Sequence, residues 1–129
     1  MTTHAHGEFD VQMNPQPLAT SQDPQFGRFA LDKQFRGDLQ AISQGEMLTA
    51  GTDSGSAVYV AIERVTGTLH GRRGSFILAH RGVMTRETRE LAIVILADSG
   101  TDELVGLTGA LEIAVVDGKH VYDLGYTLP

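Results

Sequence analysis

Residues 59–82 constrain the fold of this 129-residue chain more than any other stretch. They run Tyr59-Val60-Ala61-Ile62-Glu63-Arg64-Val65, cross Gly67, Gly71 and Gly74, and resume as Phe76-Ile77-Leu78-Ala79-His80-Arg81-Gly82. Apolar and β-branched residues on both sides of a glycine-punctuated crossing predict strand, crossing, strand, with room for one turn of helix in the crossing. The form Leu-x-Gly-x-x-Gly-x-apolar at residues 69–76 returns at residues 104–111, and a Gly-Thr pair precedes both copies (Gly67-Thr68 and Gly100-Thr101). One structural device is therefore expected twice, each time feeding an apolar strand. Neither copy ends in the Gly-Lys-Ser/Thr of a phosphate loop or opens a long helix, so backbone turns explain them better than a phosphate cradle.

Period-2 patterning extends the strand reading to the whole chain, since alternate side chains of a strand point to opposite faces. In residues 4–13, Ala5, Gly7, Phe9, Val11 and Met13 share one face, and His4, His6, Glu8, Asp10 and Gln12 share the other. Residues 14–25 hold three of the four prolines and are expected to form a loop. A second strand follows at 26–36 with Phe29, Leu31 and Phe35 on one face, then a Gly37-Asp38 turn. A third spans 39–50, with Gly45 marking a bulge or a close approach. The fourth, at 57–65, is apolar on both faces and stays unoriented, although Tyr59, Ala61 and Glu63 share a side.

In the fifth strand Arg81 opposes the Phe76, Leu78 and His80 face; an unpaired arginine is costly to bury, so His80 is expected inside. The run at 91–97 is apolar throughout, which predicts burial on both faces and an outer surface covered by another subunit. Val116-Asp117-Gly118-Lys119 signals a two-residue hairpin. Closing it pairs Val115 with His120, Ile113 with Tyr122 and Leu111 with Leu124 on one face, and Glu112 with Asp123 on the other. Two like charges opposite each other require solvent, so the first face points inward and carries Tyr126 with it. Seven or eight antiparallel strands with short connections make an all-β barrel or sandwich.

Composition removes several function classes. No cysteine is present, which excludes disulfides, thiolate nucleophiles and Cys-ligated zinc. No apolar run is long enough to span a bilayer as a helix, and the first residues lack the basic start and apolar stretch of a signal peptide, so a cytoplasmic location is expected. A net charge of -6 argues against nucleic acid as partner. Arg64, Arg72, Arg73, Arg81, Arg86 and Arg89 are nevertheless concentrated where Glu87 is the only acid after residue 63 and before residue 90. They could bind an anion, but a solvated outer face is the plainer reading. His4 and His6 share a strand face and could ligate a metal only with further ligands from other strands, so no metal and no cofactor is expected.

Residues 63–76 and His80-Arg81-Gly82 resemble a bacterial family of unknown function whose barrel is like that of plant allene oxide cyclases. Phe35-Arg36-Gly37-Asp38-Leu39, Gly45-Glu46-Met47-Leu48, Gly100-Thr101-Asp102-Glu103-Leu104 and Asp117-Gly118-Lys119-His120 fit the same pattern, so that the resemblance covers nearly all of the chain except the proline loop. It implies a closed antiparallel barrel of about eight strands with short glycine-rich connections, and no activity. The cyclases are similar in Tyr59-Val60-Ala61-Ile62, glycine pattern and length, but their pocket residues do not map one by one, and a pocket cysteine of theirs has no counterpart here.

If such a barrel holds a ligand, the polar residues of its inner faces are the candidates: His80, His120, Tyr122, Tyr126, Tyr59 and Glu63, with Glu46 on a strand of open orientation. A buried carboxylate can act as acid or base with His80 as partner, and a tyrosine can donate to a ligand oxygen. The commoner role of such a histidine, and still more of such a tyrosine, is that of a core polar group satisfied by backbone or water. The leading expectation is a barrel that binds a small apolar or amphipathic molecule in a cavity lined by Phe76, Leu78, His80, Tyr122 and Tyr126, with Tyr59 and Glu63 nearby. The second is a filled barrel that self-associates, as a homodimer or other homo-oligomer, through its outer 91–96 surface. The third is an isomerase or cyclase of an oxygenated lipid, which needs His80 and Glu63 to converge.

Overall fold

Alternation and turn chemistry account for most of the computed structural model, which describes residues 1–20 and 22–129. The strands are β1 (Thr3–Gln16), β2 (Phe26–Gly37), β3 (Leu39–Gly51), β4 (Ala57–Leu69), β5 (Arg72–Met84), β6 (Arg89–Ile95), β7 (Thr108–Val116) and β8 (Lys119–Thr127). They form a closed antiparallel barrel in sequence order, and β8 pairs back with β1. Among the described residues no helix is long and apolar enough to cross a membrane.

The β7–β8 hairpin has the expected register: Val115 with His120, Ile113 with Tyr122, Leu111 with Leu124, and Glu112 with Asp123. Its turn residues Asp117 and Gly118 both have positive φ, 53° and 77°, which the mirror-image turn requires. The glycine crossing at 69–76 turns out to be a second hairpin of this kind. His70 and Gly71 have φ of 47° and 81°, and the ladder closes directly with Leu69 opposite Arg72, leaving no room for a helical turn. The second copy of the motif does something else. The Thr101 amide donates to the Ser75 carbonyl of β5 and its Oγ1 accepts from the Ser75 amide, Asp102–Leu104 forms one 3-10 turn, and Leu104 and Leu107 are fully buried. The same letters thus make a tight hairpin where consecutive strands pair directly and an apolar plug where the chain must cross the end of the barrel.

Two further boundaries differ from expectation. β1 continues through Pro15, opposite Phe29, so the loop begins after Gln16. β6 buries Ile93 and Ile95, but its other face is open in the single chain, with Val94 47% and Leu96 52% exposed. All six arginines of residues 64–89 are exposed, as a solvated face requires.

The interior has two apolar clusters. The larger fills the plugged end and includes Phe9, Phe35, Leu39, Val65, Phe76, Leu78, Tyr122, Leu124 and Tyr126. Burying each large side chain there contributes about 1.5–3 kcal/mol. The smaller comprises Leu31, Met47 and Ala61, with Phe29 and Tyr59 packed against them towards the other end. That other end is looser. β6 and β7 share a single ladder pair, Val94 with Ala110, and beyond it inward-facing positions meet solvent: Leu91 is 44% and Val115 66% exposed.

Gly45 is a close approach, with the ladder continuous across it from Gln44 to Glu46, so there is no bulge. A Cβ at this position would lie 2.1 Å from the Ile62 carbonyl oxygen, whereas one at Gly71 would meet open space and suffer only its positive φ. Gly71→Ala is therefore expected to cost about 1–2 kcal/mol. Gly45→Ala should cost more, because backbone must move. Urea unfolding midpoints check the order.

Candidate functional site

Between the two clusters lies a belt of polar side chains that belongs to neither. Its residues come from four consecutive strands, each at an inward-facing position: Lys33 on β2, Ser43 on β3, Glu63 on β4 and His80 on β5. Lys33 and Ser43 are ladder partners, but Glu63 is opposite Gly45 and His80 is opposite Ala61. Strands in a barrel tilt against its axis, so side chains at one height step diagonally across the ladder rather than along registered pairs. Gly45, which offers no side chain opposite Glu63, lets the Glu63 Cα and Cβ approach where its own Cβ would stand.

All four residues are buried. Lys33 Nζ lies 2.8 Å and His80 Nε2 lies 2.5 Å from Glu63 Oε2, and Ser43 Oγ donates to Oε1 at 2.7 Å. Burial alone would raise the Glu63 pKa. The hydrogen bond from His80 and the positive charge of Lys33 outweigh it and push the carboxyl down to about 2. An ionised carboxylate only accepts, so the His80 nitrogen facing it carries the hydrogen. Lys33 also sits 5.3 Å from the centre of the Phe9 ring and 6.0 Å from that of Phe35, near enough for cation–π attraction. Every buried side-chain nitrogen and oxygen among the described residues has a partner. With an ammonium this close to its one carboxylate, the belt is a poor place for a metal cation.

The structure brings His80 and Glu63 together and places Tyr59 half-buried on the open-end side of them, its phenol raised above the ordinary value by burial. The other residues named from sequence lie elsewhere. Phe76, Leu78, Tyr122 and Tyr126 are packed in the large cluster, where a cavity was expected. The Tyr122 hydroxyl donates to the Arg36 carbonyl at 2.8 Å and accepts from the Leu39 amide at 3.0 Å, and burial raises its pKa. Tyr126 Oη and His70 Nδ1 are 2.5 Å apart at the plugged end. His120 is half-buried and stacks on Phe9 with centroids 5.1 Å apart. Glu46 points out of the barrel and pairs with Arg28 Nε at 2.8 Å.

Sequence reasoning missed Lys33 and Ser43. The signal was present: Phe29, Leu31, Lys33 and Phe35 alternate on one face of β2, as do Leu39, Ala41, Ser43 and Met47 on β3. A lysine in the middle of an apolar face needs a buried acid, and Glu63 is that acid.

Glu63→Gln leaves the Lys33 ammonium buried without a counter-charge and is expected to cost about 3–5 kcal/mol at neutral pH. The double variant Lys33→Met/Glu63→Leu should cost less than this single change. Because Glu63 titrates lower in the folded chain than its ordinary 4.5, the stability it contributes is complete above that value and lost as pH falls towards about 2. Urea unfolding across this window should show the wild type losing its margin over the double variant.

Residues 5–126 match the family model described as a protein of unknown function (DUF3224). The chain is also similar to a crystal structure of a protein of unknown function from the DUF3224 family of Shewanella oneidensis MR-1. The two are 43% identical, with a TM-score of 0.94 over 100% of this chain and 98% of that one. No curated protein matches it. In sequence and in fold alike, the chain belongs to the DUF3224 family.

Proposed function

We propose that this protein binds a small apolar or amphipathic molecule at the open end of its barrel, with the polar atom of the molecule directed at the Lys33–Glu63–His80 belt. The observation that carries this reading is the placement of a buried charged cluster beneath an end of the barrel whose inner wall is apolar and exposed to solvent. Leu91 and Val115 flank the region where β6 and β7 part, and Val11, Phe29, Tyr59 and Ile113 are only partly buried. A molecule entering there displaces water from this wall and moves the Leu31 and Met47 layer to reach the belt. Met47 is unbranched and adaptable, which suits it to that role. The plugged half acts as a rigid floor.

Binding fits the belt better than acid–base catalysis does. His80 and Glu63 converge, as an isomerase of an oxygenated lipid would need. A carboxyl held at about 2, however, is a weak base at neutral pH and has no proton to give. The probe 1-anilinonaphthalene-8-sulfonate, an anion with an apolar body, tests the site. Its affinity should fall about tenfold or more in Val115→Glu and stay within about twofold in the outer-wall variant Ile62→Glu. The opposite order, or no binding by the wild type, would overturn the proposal.

A second reading, self-association, rests on the outer wall of β3–β6. Leu48 and Val60 are paired across β3 and β4, Ile62 continues through Ala79 to Val94, and the large side chains among these are 47–64% exposed. A contiguous exposed apolar surface of this kind commonly marks an interface. In sedimentation velocity the wild type is expected to run as a dimer and Ile62→Glu as a monomer. A wild type that stays monomeric on concentration would end this reading.

A further inference from the structure

The outer wall where β1 meets β8 carries a second cluster, remote from the belt in both position and chemistry. His4 and His6 alternate onto the outer face of β1, and Asp123 of β8 is the ladder partner of His6. His4 Nδ1 lies 2.8 Å from Asp123 Oδ1, and His6 Nε2 lies 3.5 Å from Oδ2. One ligand atom from each of the three residues falls within 4.8 Å of the others. We propose that His4, His6 and Asp123 bind a divalent transition-metal ion of the zinc class.

Four features support the assignment. Tetrahedral zinc sites with bonds of about 2.0–2.1 Å have ligand–ligand edges of roughly 3.3 Å; His4 and His6 each lie near that distance from an oxygen of Asp123, on its two different oxygens. The backbone positions of the three residues are fixed by two paired strands. The ligand types are also selective: two imidazoles and one carboxylate suit zinc, nickel or copper, whereas magnesium and calcium prefer oxygen. The site is open as well. The two histidine side chains are 53% and 63% exposed, and that of Asp123 is 39% exposed.

The rings of His4 and His6 stack with centroids 6.1 Å apart and planes 12° from parallel. A plain ion pair needs one imidazole on the carboxylate; here a nitrogen of each of two rings faces it, and a bound cation would take the place of the hydrogen between them. Glu112, the exposed ladder partner of Asp123 on β7, lies on the same outer face and adds negative charge to it. Asp123 of β8 is the ligand from another strand that two histidines on β1 could not supply themselves.

Isothermal titration of the full chain with zinc chloride near neutral pH tests the site. One zinc per chain is expected, with magnesium chloride giving no comparable heat. His6→Ala and Asp123→Asn should each weaken zinc binding about tenfold or more, while His120→Ala, which alters a histidine outside the cluster, should leave it within about twofold. All three variants should keep the wild-type circular dichroism, since each site residue lies on the surface or is half-buried. Absence of zinc binding, equal binding of magnesium, or affinity unchanged in both site variants would overturn the proposal.

Discussion

The ionised carboxylate of Glu63 sets the terms for the rest of the interior. A charge enclosed in an apolar barrel is tolerable only with opposite charge and hydrogen bonds around it. Here Lys33 and His80 meet one oxygen and Ser43 the other, and each comes from a different neighbouring strand. The belt therefore ties β2 through β5 together at one height. Exchanging or slipping any one of these strands by a residue would turn its polar member out to solvent and leave the others unpaired. Such a network is weak evidence for extra stability. Its better-founded consequence in this molecule is a single defined register.

The belt also gives the barrel a direction. Below it, the apolar cluster is closed by Leu104 and Leu107 from the segment that crosses the barrel end. Above it, only a thin apolar layer intervenes before the region where β6 and β7 separate. This combination of rigid floor, polar anchor and adaptable mouth is what the proposed ligand binding draws on. A buried lysine–carboxylate pair that fixes strand register would serve a filled barrel as well. The apolar outer wall of β3–β6 is compatible with either role, because a binding barrel can also self-associate.

Much of this was legible in the sequence, for local reasons. The β7–β8 hairpin could be registered from Asp117-Gly118 alone, and the inward direction of His80 followed from the cost of burying Arg81. The direction of β4 could not be read, because Val58, Val60 and Ile62 make its outer face as apolar as its inner one. Knowing that Lys33 pointed inward would have settled it, since Glu63 is the acid that such a lysine needs. The diagonal that unites Lys33, Ser43, Glu63 and His80 depends on barrel tilt, which no single strand encodes. The twin glycine motifs misled for the opposite reason: identical local signals were resolved differently by what each connection has to span.

The most direct test of this account is the titration of the Glu63 carboxyl itself, followed by carbon-13 NMR of protein labelled at glutamate and assigned through Glu63→Gln. The account predicts that its resonance stays at the ionised position as pH falls through 4.5 and moves, if the fold persists, only near 2. A midpoint at or above the ordinary glutamate value would contradict it, because Lys33 and His80 would then not be holding the charge on which the belt depends.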